Sequence, residues 1–257
     1  MWKEIRVNDS EFETSHFISL LNGKVPAIVV RNFYDQKHCE KIVKKIKKSK
    51  KSFFQKKLQH IGPFLMSYTT KKKEYFDNAR QTRRIFNDIF YESAQPTLKI
   101  SKILSRILPG YSISLAREFE NDFSPFVIRI HEDGKSIPIH KDNVKYEGRE
   151  YDFGGIDNQI SCVIHFQEPQ KGGQIVIYKK QWTRSDEKLR NIDFGYSESI
   201  VASVEFCKIS NLCAGDLVII NPNYYHKVTP IAGNIPRITL GMFLGLYKKE
   251  NRIVTWA

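Results

Sequence analysis

The sequence predicts an α+β protein with a mainly helical part over residues 1–110 and a β-rich sandwich or jelly-roll barrel over 111–250. Two observations predict it. Before residue 110, apolar residues recur at three- and four-residue spacing. After it, short runs of Val, Ile, Phe and Tyr alternate with Gly, Pro, Asn and Asp. With no internal repeat or low-complexity linker in 257 residues, the chain is expected to be a single domain with an N-terminal helical annex.

Residues 25–31 (Val-Pro-Ala-Ile-Val-Val-Arg) read as a short buried strand entering a helix after Asp35, a good N-cap residue. In that helix Cys39, Ile42, Val43 and Ile46 fall on one side, and Lys41, Lys44, Lys45, Lys47 and Lys48 cover the other. Residues 47–60 read as a loop or frayed helix end, and Gly62-Pro63 as a break. A second helix is expected over 74–92, its apolar side formed by Tyr75, Ala79, Phe86, Ile89 and Phe90, with Arg80, Arg83 and Arg84 projecting elsewhere. A third starts at Pro96, suited to a first helical turn, and stops at Pro109-Gly110. Eight β runs follow, at 126–131, 137–140, 160–167, 174–178, 204–209, 217–220, 226–230 and 237–247. The long interruption at 180–200, which holds Trp182, Arg184, Asp186, Phe194 and Tyr196, reads as a functional flap.

Charge narrows the range of partners. Residues 36–84 carry sixteen Lys or Arg against three acids, which accounts for the whole net charge of +13 and leaves the rest balanced at 25 against 25. A solvated lysine face on the first long helix explains much of this excess and is favoured over a nucleic-acid patch. Cys39, Cys162, Cys207 and Cys213 form no C-x-x-C pair, which argues against a zinc knuckle or a disulfide framework. Neither an apolar signal-peptide region nor a membrane-length apolar stretch is present, so a cytoplasmic protein is expected.

The chemistry-bearing residues lie in the β half. Ile137-Pro138-Ile139-His140-Lys141-Asp142-Asn143 sets an imidazole and a carboxylate two residues apart, on one side of an extended run. His226 opens another run, and Arg237 follows eleven residues later. Two imidazoles and a carboxylate on one face of a metal leave positions open for a co-substrate and dioxygen, which suits non-haem Fe(II). H-x-D alone is a weak signal, since a His beside an Asp is commonly a surface pair. A distant His and an Arg eleven residues beyond it, within one β-domain, make the combination specific.

With these residues the chain resembles the Fe(II)/2-oxoglutarate-dependent dioxygenases, whose double-stranded β-helix carries H-x-D…H and a later Arg-x-Ser/Thr. The match covers residues 126–246. The resemblance implies that His140, Asp142 and His226 bind iron. It implies that Arg237 and Thr239 hold the far carboxylate of 2-oxoglutarate, as a planar guanidinium can. It also implies consumption of O2 and 2-oxoglutarate, release of succinate and CO2, and oxidation of a C–H bond. Asp142 stands where related radical halogenases have Gly or Ala, so hydroxylation is expected.

A narrower likeness runs from Gln159 to Leu246. The run Ser161-Cys162-Val163-Ile164-His165-Phe166-Gln167-Glu168-Pro169, the Gly172-Gly173 turn, Val176-Ile177-Tyr178 and Gln181-Trp182 are similar to the family of the free-lysine radical halogenase and its amino-acid hydroxylase relatives. It implies a free amino acid or a small derivative as substrate. Asn143, Trp182, Arg80, Arg83 and Arg84 are candidate substrate contacts. For each, a capping Asn, a packing Trp or a solvated Arg is an equally good reading. Related prolyl hydroxylases place a 2-oxoglutarate Tyr in the strand before H-x-D. Here that region reads Arg129-Ile130-His131, so His131 is either a replacement cofactor contact or a core histidine. Two other functions stay in view: an oxygenase of a protein side chain or nucleic acid docked on the lysine-rich region, and a metal-binding module that senses a ligand without turnover.

Overall fold

The computed structural model describes residues 2–53, 60–192 and 195–257; of the loop or frayed helix end expected over 47–60, residues 47–53 continue the helix, and 54–59, like Phe194, lie outside the described residues. Two β-sheets face one another. The larger has the order Ile5–Asn8, Ala27–Arg31, Leu217–Ile220, Asn158–Gln167, Arg237–Tyr247, Arg252–Trp256 and Ser112–Leu115. Val127–His131 also pairs with the first half of the Arg237 strand, and His60–Ile61 pairs with Val127–His131. The smaller sheet is antiparallel, in the order Phe206–Ile209, Ile175–Gln181, Tyr224–Val228 and Ile137–His140. All eight expected β runs are strands, shifted by at most a few residues at their ends.

The eleven-residue strand Arg237–Tyr247 is buried throughout, and its alternation divides the molecule. Ile238, Leu240, Met242 and Leu244 point outward, with Ile160, Cys162 and Ile164 of the neighbouring strand, into a core shared with the helices. Arg237, Thr239 and Phe243 point the other way and line a cavity between the sheets.

Among the described residues, four helices of eight or more residues, Thr14–Leu21, Gln36–Phe53, Lys72–Phe90 and Pro96–Ile107, contribute Phe17, Ile42, Phe86 and Ile103 among others to the outer core. The Asp35 cap forms as expected, its Oδ1 accepting the His38 N–H at 3.1 Å. Pro96 occupies the first turn of its helix. The N-terminal part is not an appendage, however. Ile5–Asn8 pairs in parallel with Ala27–Arg31, which pairs with Leu217–Ile220, so the first thirty residues extend the large sheet. Strands Ile5–Asn8, Ser112–Leu115 and Arg252–Trp256 have no counterpart among the eight expected runs. Ile5–Asn8 and Ser112–Leu115 form the two edges of the large sheet, and Arg252–Trp256 lies between the Arg237 strand and Ser112–Leu115.

Candidate metal and co-substrate site

His140 and His226 lie directly opposite one another on neighbouring antiparallel strands, with ring centres 4.1 Å apart. The strand ends at His140, and the chain then turns so that the Asp142 N–H donates to the Pro222 carbonyl at 2.9 Å. That anchor brings the Asp142 carboxylate to 3.5 Å from His226 Nε2 and 3.9 Å from His140 Nε2. Potential ligand atoms of all three residues lie within 4.8 Å of one another, the one such cluster of three or more His, Cys, Asp or Glu among the described residues.

The two imidazoles are prepared for this role by their backbones. His140 Nδ1 lies 2.9 Å from the Pro138 carbonyl, and His226 Nδ1 lies 2.9 Å from the Tyr224 carbonyl. A carbonyl can only accept, so each Nδ1 carries the proton and each Nε2 is left with its lone pair toward the third residue. Burial, then the neighbouring His226 ring, pushes His140 down to about 4. Burial alone would raise the Asp142 carboxyl, but His226 and His140, with Arg129 beyond them, hold it at about 2. Neutral imidazoles and an ionised carboxylate are the states that bind a divalent cation.

Above the trio, Arg237 is 2 % exposed; its Nη1 donates to the Thr239 hydroxyl at 3.4 Å, and its Nε has no hydrogen-bond partner. Burial pushes its pKa down to about 10, partly offset by the Glu168 carboxylate. A buried, under-satisfied guanidinium facing a cavity is the donor set that a carboxylate completes. His131 pairs in register with Arg237, lines the same cavity, and also has an unpartnered Nδ1. Burial, then Arg237 and Arg129, pushes His131 down to about 3, so it stays neutral. The residues therefore fit both a divalent metal and a 2-oxoglutarate carboxylate. The cavity, ≈ 240 Å³, is walled further by Ile137, Val163, Val228 and Phe243.

The five expected substrate contacts do not line this cavity. Asn143 caps the short helix Val144–Glu147, its Oδ1 accepting the Tyr146 N–H at 3.1 Å. Trp182 packs against Tyr146 with ring centres 4.4 Å apart, and its Nε1–H donates to Glu187 at 2.7 Å. Arg80 reaches Asp77 and Asn121, Arg83 pairs with Asp122 at 2.7 Å, and Arg84 is exposed. The physical reason is helix orientation: Tyr75, Phe76, Ala79 and Phe86 turn inward, which directs these arginines away from the space between the sheets. In their place stand Arg129, His60, Phe64 and Met66. No local motif marks them, because they meet through pairing of His60–Ile61 with the distant Val127–His131 strand. For Arg129 a signal existed: it shares the face of His131, two residues away.

The two-sheet fold, the trio and the buried Arg237 define the class of the Fe(II)/2-oxoglutarate-dependent dioxygenases. More narrowly, residues 1–257 match the model of the carrier-protein-independent halogenase WelO5 family, and the chain belongs to that family. Over 136 residues it is 30% identical to the L-gamma-glutamyl-L-propargylglycine hydroxylase of Streptantibioticus cattleyicolor; the match covers 51% of the chain and 48% of the relative, so the chain spans about half the length of this curated relative. Among solved structures it is similar to an N-substituted L-amino acid dioxygenase from Burkholderia ambifaria AMMD (TM-score 0.64, 13% identity, 95% of this chain and 91% of that one). The same dioxygenase in complex with alpha-KG matches at TM-score 0.64, with 15% identity, 95% and 90% covered. AviO1 from Streptomyces viridochromogenes Tue57 matches at TM-score 0.51, with 10% identity, 87% and 90% covered. At these identities the solved structures bear on the fold.

Proposed function

We propose that the chain is an Fe(II)/2-oxoglutarate-dependent hydroxylase of a free amino acid or small amino-acid derivative, acting as a single oxygenase domain in the cytoplasm. The supporting observation is the pairing of a trio whose two Nδ1 atoms face backbone carbonyls with a buried, under-satisfied Arg237 in the same cavity. The four free cysteines are compatible with a reducing compartment, and no helix among the described residues is long and apolar enough to cross a membrane.

Bound Fe(II) supplies the oxidative decarboxylation of 2-oxoglutarate to succinate and CO2, coupled to oxidation of a substrate C–H bond. His140 and His226 each present Nε2 to the metal, and Asp142 adds the third donor. Because Asp142 is a carboxylate, it fills the place that Gly or Ala leaves to chloride in the radical halogenases; the hydroxylase name of the curated relative agrees with this reading. Arg237 clamps the far carboxylate of 2-oxoglutarate with help from the Thr239 hydroxyl. His131, neutral, can hydrogen-bond the co-substrate without adding charge. The apolar walls keep water from the reacting centre.

Incubation with Fe(II), ascorbate, 2-oxoglutarate and pooled amino acids and derivatives, read by mass spectrometry, tests the reading. One component should gain one oxygen, and His140→Ala and Asp142→Ala should each abolish the gain. An undiminished gain in either variant would remove that residue from the metal site.

A further inference from the structure

The cavity holds more positive charge than the proposed reaction uses. Val127–His131 and Arg237–Tyr247 pair so that Arg129 lies opposite Thr239 and His131 opposite Arg237. Paired residues of antiparallel strands share a face, so two guanidiniums enter one space. The Arg129 guanidinium lies 5.3 Å from the centre of the Phe64 ring, and among the described residues it makes no ion pair and no hydrogen bond. Space for it comes from Gly241, where a Cβ would stand 2.6 Å from Arg129 Nη1. The backbone at Gly241 is not in the left-handed region, so a side chain there would act on Arg129 by displacing its guanidinium.

Charge counting then separates the two arginines. Among the described residues Asp142 is the one acid lining the cavity; Glu168, which offsets Arg237, lies outside the lining and is hydrogen-bonded to His165 Nδ1 at 2.5 Å. A divalent metal on a trio with one carboxylate, together with doubly charged 2-oxoglutarate and one Arg237 cation, is neutral. Arg129 remains, and a half-buried cation against apolar side chains without a counter-ion is unfavourable. It therefore calls for one more anion. Conversely, no acid is left for a substrate ammonium, which two guanidiniums would repel. Beside Arg129 stand Phe64, Met66 and Phe243, an apolar surface.

We propose that Arg129 anchors the carboxylate of the organic substrate, and that this substrate is an amino acid with a masked α-amino group and an apolar side chain. The inference rests on the oxygenase reading, because 2-oxoglutarate must occupy Arg237. It makes Arg129 a specificity-determining residue and sets the substrate apart from a cationic amino acid such as lysine.

Anaerobic calorimetry on the Fe(II)-loaded protein tests it, with 2-oxoglutarate added first and then N-acetyl-L-leucine, N-acetyl-L-leucinamide or L-lysine. Wild-type protein should bind the acid at least roughly tenfold more tightly than the amide or lysine, the scale of one charge-assisted contact. Arg129→Gln should erase the preference for acid over amide while leaving 2-oxoglutarate affinity within about threefold. Arg129→Lys should restore part of the preference, and Gly241→Ala, which displaces the guanidinium without removing it, should weaken it; these two variants serve if the Gln variant does not fold. Loss of 2-oxoglutarate affinity in Arg129→Gln with the acid preference retained would assign Arg129 to the co-substrate and overturn the proposal. Lysine binding as tightly as N-acetyl-L-leucine, or acid and amide binding alike, would also overturn it. Failure of wild-type protein to bind 2-oxoglutarate would instead overturn the oxygenase reading, and the inference with it.

Discussion

His140, Asp142 and His226, the proposed ligands, are aimed at one another by three backbone contacts. Two carbonyls fix the imidazole protons on Nδ1, and the Asp142 N–H to Pro222 bond swings the carboxylate back toward both rings. The same burial has a consequence for stability. His140 and His131 resist protonation in the folded protein, down to about 4 and about 3, whereas an unfolded histidine takes a proton near its ordinary value of about 6.5. A depressed folded value means stability present above pH 6.5 and lost as pH falls through the folded values, since the unfolded chain binds protons first. Metal-free protein should therefore lose stability between pH 6.5 and pH 4 in urea titrations. His131→Gln should flatten that dependence by on the order of 2 kcal/mol; an unchanged slope would mean that His131 titrates freely in the fold. The clustering of His140, Asp142 and His226 was legible in the sequence because H-x-D, a later His and an Arg eleven residues on are local patterns. Arg129 was harder to find, because its role follows from register with Thr239 and from Gly241, neither of which spacing reveals.

Among the elements, the segment from 180 to 200 is tied to the metal strand by Lys141, the residue between two proposed ligands. Lys141 is 1 % exposed, its ammonium pairs with Glu147, and it lies 4.5 Å from the Trp182 ring centre and 4.9 Å from that of Tyr146. Arg190 of the flap also reaches Glu147, at 3.1 Å, and Glu187 at 2.8 Å. Trp182 thus serves to hold the flap down. Removing the Lys141 ammonium leaves Arg190 as the cation on Glu147 and deletes one charge-assisted contact, so Lys141→Met should cost about 2 kcal/mol in urea unfolding. Hydrogen exchange over residues 182–192 should quicken in the same variant, and unchanged exchange there would show that the flap is held by other contacts. The flap was legible as an interruption between strands, but its partners were not, because alternation along Ile137–His140 says nothing of which side the next element covers. The N-terminal helices were legible from their apolar spacing. The edge strands Ile5–Asn8 and Ser112–Leu115 were not, since an edge strand needs a partner more than a strong pattern of its own.

Across the whole molecule, the outer face of the large sheet carries the helices and the inner face carries the chemistry. Lys41, Lys44 and Lys47 are exposed on the helix Gln36–Phe53, whose apolar side belongs to the outer core, so a macromolecule docked there would meet the side of the sheet away from the cavity. Triple Lys→Gln substitution at these positions should leave turnover of a small substrate within about twofold between low and high salt, as a buried pocket is little screened. A steep salt dependence lost in that variant would point to a polyanionic substrate. The proposed reaction sends one oxygen atom of O2 into succinate and its partner into a substrate C–H bond. Turnover under isotopically labelled dioxygen in the presence of chloride follows both atoms. One labelled oxygen is expected in succinate and one in the hydroxylated product, with no chlorinated product; a chlorinated product, or succinate without label, would rule this reaction out.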